Sequence, residues 1–319
     1  MLKFLRSNNP IYYFVLSGTL IPLLVLNHYY SNTESELIWP ILNLIKANKI
    51  TLYLVYAIVI FITSLRLNLI VNKSVFFEKS NYSSGILYIF FMGFTGMTHI
   101  AILPAIGNLL VVFSIENFFK IYRNKTCKIE IFNASCFLIL SSVFYAYNIF
   151  LFPILWLVLY FIRPFQWREY IMPFISLIFI SVYLVPLGYF NESFNSWITL
   201  WWNYSKIDNL DNFMDWAFLL FSICFGLIIG FITLVFTFIK SNNRYKKITW
   251  IILSLLFLCL IQLLICKLYL YLQYPLFFTL LLPLSILLAN SIINSKYSWL
   301  VGSYLVILVI VKLIISFVL

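Results

Sequence analysis

Long apolar runs alternate with short polar gaps along this chain. At about 20 apolar residues per bilayer crossing, the runs predict eleven helices, near 10–27, 50–71, 83–97, 103–122, 131–145, 148–163, 170–189, 214–239, 248–266, 274–293 and 299–319. The expected fold class is therefore all-α, a polytopic transmembrane helical protein of about eleven spans. The pair 131–145 and 148–163 is short for two full crossings, and only Ala146 and Tyr147 separate its members. It reads either as a hairpin of short helices or as one interrupted element.

Two of the gaps carry a helical pattern of their own. After the first run, Leu37, Ile38, Ile41, Leu44 and Ile45 recur at helical spacing, with Asn43, Lys46 and Lys49 away from them and Pro40 at a start or kink. Phe194, Trp197, Ile198, Trp201 and Trp202 repeat the pattern. An apolar stripe of this kind on a short amphipathic segment predicts a helix lying flat in the membrane interface, and Trp favours the headgroup layer. Two interfacial helices are expected, near 34–48 and 194–204.

Composition settles which solvent the runs face. Hydrophobic residues make up 63% of the chain and charged residues 10%, whereas a soluble domain is about 45–50% apolar. With a mean hydropathy of +1.00, a soluble globular domain is excluded, and the chain reads as a single transmembrane domain over 1–319. It is divisible near residue 190 into a module at 1–190 and C-terminal helices at 191–319. A retained first helix is expected rather than a signal peptide, because no small-x-small site precedes the polar stretch after Leu26.

The net charge of +11 brings in orientation. Basic residues cluster in every second gap: Lys3 and Arg6; Arg66, Lys73 and Lys79; Lys120, Arg123, Lys125 and Lys128; Arg163 and Arg168; Lys240, Arg244, Lys246 and Lys247; Lys296. These are sixteen of the twenty-one Lys and Arg residues. The opposite gaps hold Glu34, Glu36, Glu192, Asp208, Asp211 and Asp215, with Lys46, Lys49, Lys206 and Lys267. Cytoplasmic loops retain Lys and Arg, so the ladder predicts a multi-pass protein of the bacterial inner membrane, N-terminus cytoplasmic, C-terminus periplasmic, with both interfacial helices on the periplasmic face. Basic residues scattered over short loops form no stripe for nucleic acid.

Candidate chemistry is sparse. Glu34 and Glu36 follow the first run, where a carboxylate would serve as a general base toward a lipid-linked substrate; Thr33-Glu34-Ser35-Glu36 also fits a capping box. His28 and His99, the two histidines, fall on the same predicted face and are candidate substrate-binding residues. Asp208, Asp211 and Asp215 would hold a hard cation if helical, but suit the N-terminus of the next span better. Glu116 lies four residues before Lys120, an i,i+4 pair, and Lys312 is a lone cation in the last run. The five cysteines show no CxxC spacing, so neither disulfide nor zinc is expected. No Walker A, GxGxxG, HExxH or GxSxG sequence is present, so no metal and no cofactor is implied.

The segment Arg163-Pro164-Phe165-Gln166-Trp167-Arg168-Glu169 resembles the Arg-Pro-Phe-x-Trp-Arg signature of an uncharacterised family of polytopic membrane proteins from Bacteroidota. The similarity runs from about Leu67 to Phe190 and includes loops at Asn72 and Ile121 and the Phe-Tyr pair at Phe144. In the segment, Pro164 stops the preceding helix, Arg163 and Arg168 hold the inner leaflet and Trp167 anchors among headgroups. These three residues are a cytoplasmic anchor, or a docking motif for a partner. The architecture of 1–190 is also similar to the membrane module of integral-membrane glycosyltransferases that use polyprenyl-phosphate sugars. That resemblance implies Glu34 or Glu36 as the base, in a first outer loop whose acidic pair in those enzymes usually begins with Asp.

Three functions follow from these readings: a glycosyltransferase-like enzyme handling a polyprenyl-phosphate lipid on the periplasmic side, a non-catalytic subunit of an envelope secretion, motility or export complex with a membrane-protein partner, and a transporter. The first requires a cavity beneath the first outer loop that holds Glu34 or Glu36 and a basic group for phosphate, and the second an apolar surface groove filled by a partner helix, with no polar cavity. The third is marked by broken helices in matching halves.

Overall fold

The computed structural model describes residues 9–11, 13–15, 17–18, 49–74, 76–77, 81–94, 102–122, 127–190, 213–270, 277–294 and 298–318. Among them the chain is helical throughout, with no strand. The helices are α1 (Lys49–Ser74), α2 (Ser83–Phe94), α3 (Ile102–Ile121), α4 (Lys128–Phe144), a 3-10 helix (Ala146–Leu151), α5 (Ile154–Ile162), α6 (Trp167–Phe190), α7 (Phe213–Lys240), α8 (Asn243–Leu270), α9 (Phe277–Asn294) and α10 (Ser298–Val318). Residues 13–15 and 17–18 are helical as well. Most of the first predicted span and both predicted interfacial helices, near 34–48 and 194–204, lie outside the described residues.

By length and composition, five stretches are long and apolar enough to cross a membrane: Leu54–Ser74, Ile102–Ile121, Trp167–Leu187, Phe221–Ile239 and Asn243–Ile265. Of four shorter apolar helical stretches, Ser83–Gly93 and Ala146–Ile162 lie between them and Phe278–Ile293 and Trp299–Val311 follow the last. The chain is a multi-pass helical membrane protein. Helices from both sides of residue 190 pack together, α9 lying against α2, α3 and α7 while α8 packs on α5 and the 3-10 helix. α3 is sandwiched between α1 and α4. α6 is the opposite case: it touches α4, and Phe174, Ile178, Val182, Val185 and Tyr189 along it are exposed. In a bilayer that face is covered by acyl chains, which an apolar side chain meets at no cost.

The short pair after residue 127 is a hairpin. Cys127, just before α4, and Arg163, just after α5, both bond Glu169, so the two arms run antiparallel between the same two levels. α4 has 17 residues, about 25 Å at 1.5 Å per residue. The return arm is broken at its start, where Tyr145 takes an extended conformation. Its six 3-10 residues, Phe152 and Pro153 and its nine α-helical residues add to about 28 Å, because the tighter 3-10 helix rises about 2 Å per residue. Each arm therefore falls short of the roughly 30 Å hydrocarbon core.

Buried polar residues divide by what their side chains can reach. Hydroxyls fold back onto their own helix: Thr63 donates to the Ile60 carbonyl at 2.7 Å, Ser141 to Leu138 at 2.7 Å and Ser291 to Leu288 at 2.6 Å. That back-bond is how Ser and Thr sit in apolar helices without an orphaned donor. The amide of Asn or Gln more often bonds another element. Asn68 of α1 accepts from Ser84 Oγ at 2.6 Å and from the Gly85 amide at 2.9 Å on α2. Asn72 pairs with the Asn81 backbone in both directions, at 3.0 and 3.2 Å. Asn290 of α9, Tyr245 of α8 and Thr237 of α7 close a triangle of hydrogen bonds.

Candidate functional site

Charge gathers at one end of the bundle, where neutral side chains such as Asn68, Asn72 and Asn290 also lie. Ion pairs lie toward the ends of α1, α3 and α5 and at the start of α6, the end that the charge pattern of the sequence predicts to be cytoplasmic. Glu116 takes Lys120 at 3.1 Å, the expected i,i+4 pair, and Arg66 at 4.0 Å.

At the same end the signature segment forms a corner. α5 stops at Ile162 because Arg163 precedes Pro164 and is held extended, with φ −132° and ψ 155°, the region a following proline enforces. The Arg163 side chain turns inward to Glu169, 3.2 Å away, and the same carboxylate oxygen accepts the Cys127 amide at 3.4 Å. Glu169 is 2% exposed. Lys247 of α8 donates to the Ile162 carbonyl at 3.0 Å, satisfying one orphan acceptor of the α5 C-terminus. Burial pushes the Cys127 thiol up to about 11; the Arg163 charge pulls it down, and Glu169 and Glu130 add to the rise. Phe165, Trp167 and Arg168 stay outside, with Trp167 60% exposed and the Arg168 guanidinium 5.5 Å from its ring centre. The segment thus splits into an inward half, Arg163 with Glu169, and an outward half, Trp167 with Arg168. Sequence reading gave no role to Glu169, although its spacing from Arg163 across a proline turn was there to be read.

The other end holds a layer of uncharged polar side chains. Asn108 of α3 donates to the Phe278 carbonyl at 2.7 Å, in the first turn of α9, and also reaches Tyr88 Oη at 3.4 Å. The next residue, Thr279, donates to Gln262 Oε1 of α8 at 3.4 Å. Asn148, on the 3-10 helix, packs against Gly107, where a Cβ would sit 3.1 Å from its Nδ2. Asn108, Asn148 and Gln262 are all fully buried, and four of their polar atoms have no hydrogen-bond partner among the described residues: Asn108 Oδ1, Asn148 Oδ1 and Nδ2, and Gln262 Nε2. An unpaired buried polar group costs about 1–3 kcal/mol, so these four atoms carry a cost that a bound partner would relieve. None of these three stood out in the sequence, since single amides in apolar runs look like isolated helix–helix contacts.

Glu34, Glu36, His28 and His99 lie outside the described residues, as do Asp208 and Asp211 and the side chains of Asp215 and Lys312. Among the described residues no group of three His, Cys, Asp or Glu side chains is placed to hold a metal ion. No protein-family model matches the chain, and neither a curated protein nor a solved structure matches it.

Proposed function

We propose that this multi-pass protein works in the bacterial inner membrane as a glycosyltransferase-like enzyme that takes a polyprenyl-phosphate-linked sugar on its periplasmic side. The observation that carries this reading is the polar layer around Asn108, Asn148 and Gln262, buried at the end of the bundle opposite the basic clusters. A lipid-linked substrate needs its head group received within the protein while its chain stays in the bilayer, and an uncharged polar interior beside apolar, lipid-facing helices supplies both environments. In this reading Glu34 or Glu36 is the general base and His28 and His99 line the approach, since the charge ladder assigns all four to the same face. The architectural similarity of 1–190 to polyprenyl-phosphate-dependent enzymes supports the same reading.

The test is catalytic. Membranes carrying the wild-type chain should transfer sugar from an undecaprenyl-phosphate donor, and Glu34→Gln or Glu36→Gln should remove about 10²-fold or more of that activity with normal protein abundance. Full transfer by the double variant would end the assignment of these carboxylates as the base, and no transfer above that of membranes lacking the chain would end the enzyme reading. The alternative, a non-catalytic subunit of an envelope complex, draws on the exposed Phe165, Trp167 and Arg168 corner and the apolar face of α6. Loss of a co-purifying membrane protein in Arg168→Ala, at unchanged abundance, would favour it.

A further inference from the structure

We infer that Asn108, Asn148 and Gln262 form a binding site for an uncharged, hydroxyl-rich head group, the sugar rather than the phosphate of a lipid-linked substrate. The inference rests on the reading above and names the part of the substrate that the described residues would receive. Three neighbouring elements bring the groups together. Asn108 and Gln262 are tied to the consecutive residues Phe278 and Thr279 of α9, and Asn148 lies against Gly107, the residue before Asn108.

The donor and acceptor inventory selects the ligand class. Unpaired acceptors are Asn108 Oδ1 and Asn148 Oδ1; unpaired donor groups are Asn148 Nδ2 and Gln262 Nε2. A phosphate offers acceptors alone and would leave both oxygens unmet, and it would bring charge to side chains that carry none. An ammonium group offers donors alone and fails on the nitrogens. A hydroxyl donates and accepts at once, so vicinal hydroxyls can meet both kinds of group together. Tyr145 and Tyr147, just before Asn148, hold their rings 5.3 Å apart, and the Tyr145 carbonyl accepts the Asn148 backbone amide; aromatic side chains beside a few polar groups are the usual lining of small-ligand sites. Gly107 is the position where close approach matters: a side chain there would come within 3.1 Å of both Asn148 Nδ2 and Tyr145 Cβ.

The experiment uses the full chain in lipid nanodiscs and a photoreactive dodecyl glucoside as probe. Labelling should be competed by excess dodecyl glucoside and not by dodecyl phosphate, and should fall about tenfold or more in Asn148→Leu and in Gln262→Met, the loss expected when one or two hydrogen bonds to the ligand go. Asn148→Leu should melt at or above the wild-type temperature, because an amide with both polar atoms unpaired is replaced by an apolar side chain of similar size, and Gln262→Met should stay close to it, since the unpaired Nε2 is removed along with one long bond from Thr279. Undiminished labelling in both variants would overturn the site, as would labelling competed equally by the phosphate. Lowered melting temperatures with unchanged labelling would also overturn it, showing that the amides hold internal water for stability. Glu34 and Glu36 are intact in these variants and no turnover is measured, so the outcome is separate from that of the catalytic test.

Discussion

Glu169 shows how a single side chain organises its surroundings. Its carboxylate joins the start of α4 to the end of α5 through the Cys127 amide and the Arg163 guanidinium, and the side-chain exposures of Arg163 and Glu169 are 12% and 2%. Removing one member of a buried pair leaves the other charge desolvated and uncompensated, at about 3 kcal/mol or more. Glu169→Gln should therefore lower the melting temperature of the detergent-solubilised protein by several degrees. Arg168→Ala, which removes a solvent-side guanidinium lying over Trp167, should leave it within about 0.5 kcal/mol of wild type. Equal behaviour of the two would show that the inward and outward halves of the corner do not differ as their burial implies. The sequence made Arg163 and Arg168 look alike, two cations flanking a proline turn. Only the fold separates them, because which one turns inward depends on where α4 and α8 pack.

At the scale of elements, helix positions were legible because each apolar run needs one helix and each polar gap one end. α2, α3 and α7 start and stop within a few residues of the runs 83–97, 103–122 and 214–239. The break was legible to within two residues, as the gap at Ala146 and Tyr147 between the runs 131–145 and 148–163, and the structure resolves it as a hairpin; the 3-10 form of the turn was not, since the pattern of apolar residues carries no signal of a change in helix type. Pairings between distant helices were equally hidden. The α1–α2 crossing is one whose cause is now visible: Gly85 lets α2 lie on Asn68 and on the Ser64 carbonyl. A Cβ at Gly85 would fall 2.7 Å from that backbone oxygen and closer still to the Asn68 side chain, while at Gly18 it would meet nothing within 4 Å. Gly85→Ala should cost about 1–3 kcal/mol through overpacking and break the Asn68 bonds, whereas Gly18→Ala should be neutral. Thermal unfolding of the two variants side by side checks this. A neutral Gly85→Ala would mean that the crossing can open without penalty.

The whole molecule is polarised along one axis, and topology and function both depend on the direction of that axis in the membrane. Ion pairs gather toward where α3 ends, and the unpaired amide groups of Asn108, Asn148 and Gln262 lie nearer where α3 and α9 begin, Asn108 eight residues before Glu116 along α3, while Asn68, whose Nδ2 is also unpaired, lies with the charges. The two populations obey different solvation costs: a charge is tolerated only near the headgroups, where snorkelling and water reach it, while an amide can lie deeper if a partner or ligand meets it. Sequence reading found the first population, because clusters of Lys and Arg in alternate gaps are conspicuous, and missed the second, because the amides are scattered over α3, the 3-10 helix and α8 and meet only in the fold. If the positive-inside rule holds for this chain, the charged end faces the cytoplasm and the amide end the periplasm, where a lipid-linked sugar would be taken up. Single cysteines at positions 125 and 209, placed in a background without the native cysteines, decide the direction: a membrane-impermeant maleimide added to intact spheroplasts should label position 209 and leave 125 untouched until the membrane is opened. Labelling of 125 alone would invert the molecule and put the amide layer on the cytoplasmic side, and a head-group site there would have to draw on a different pool of lipid-linked substrate.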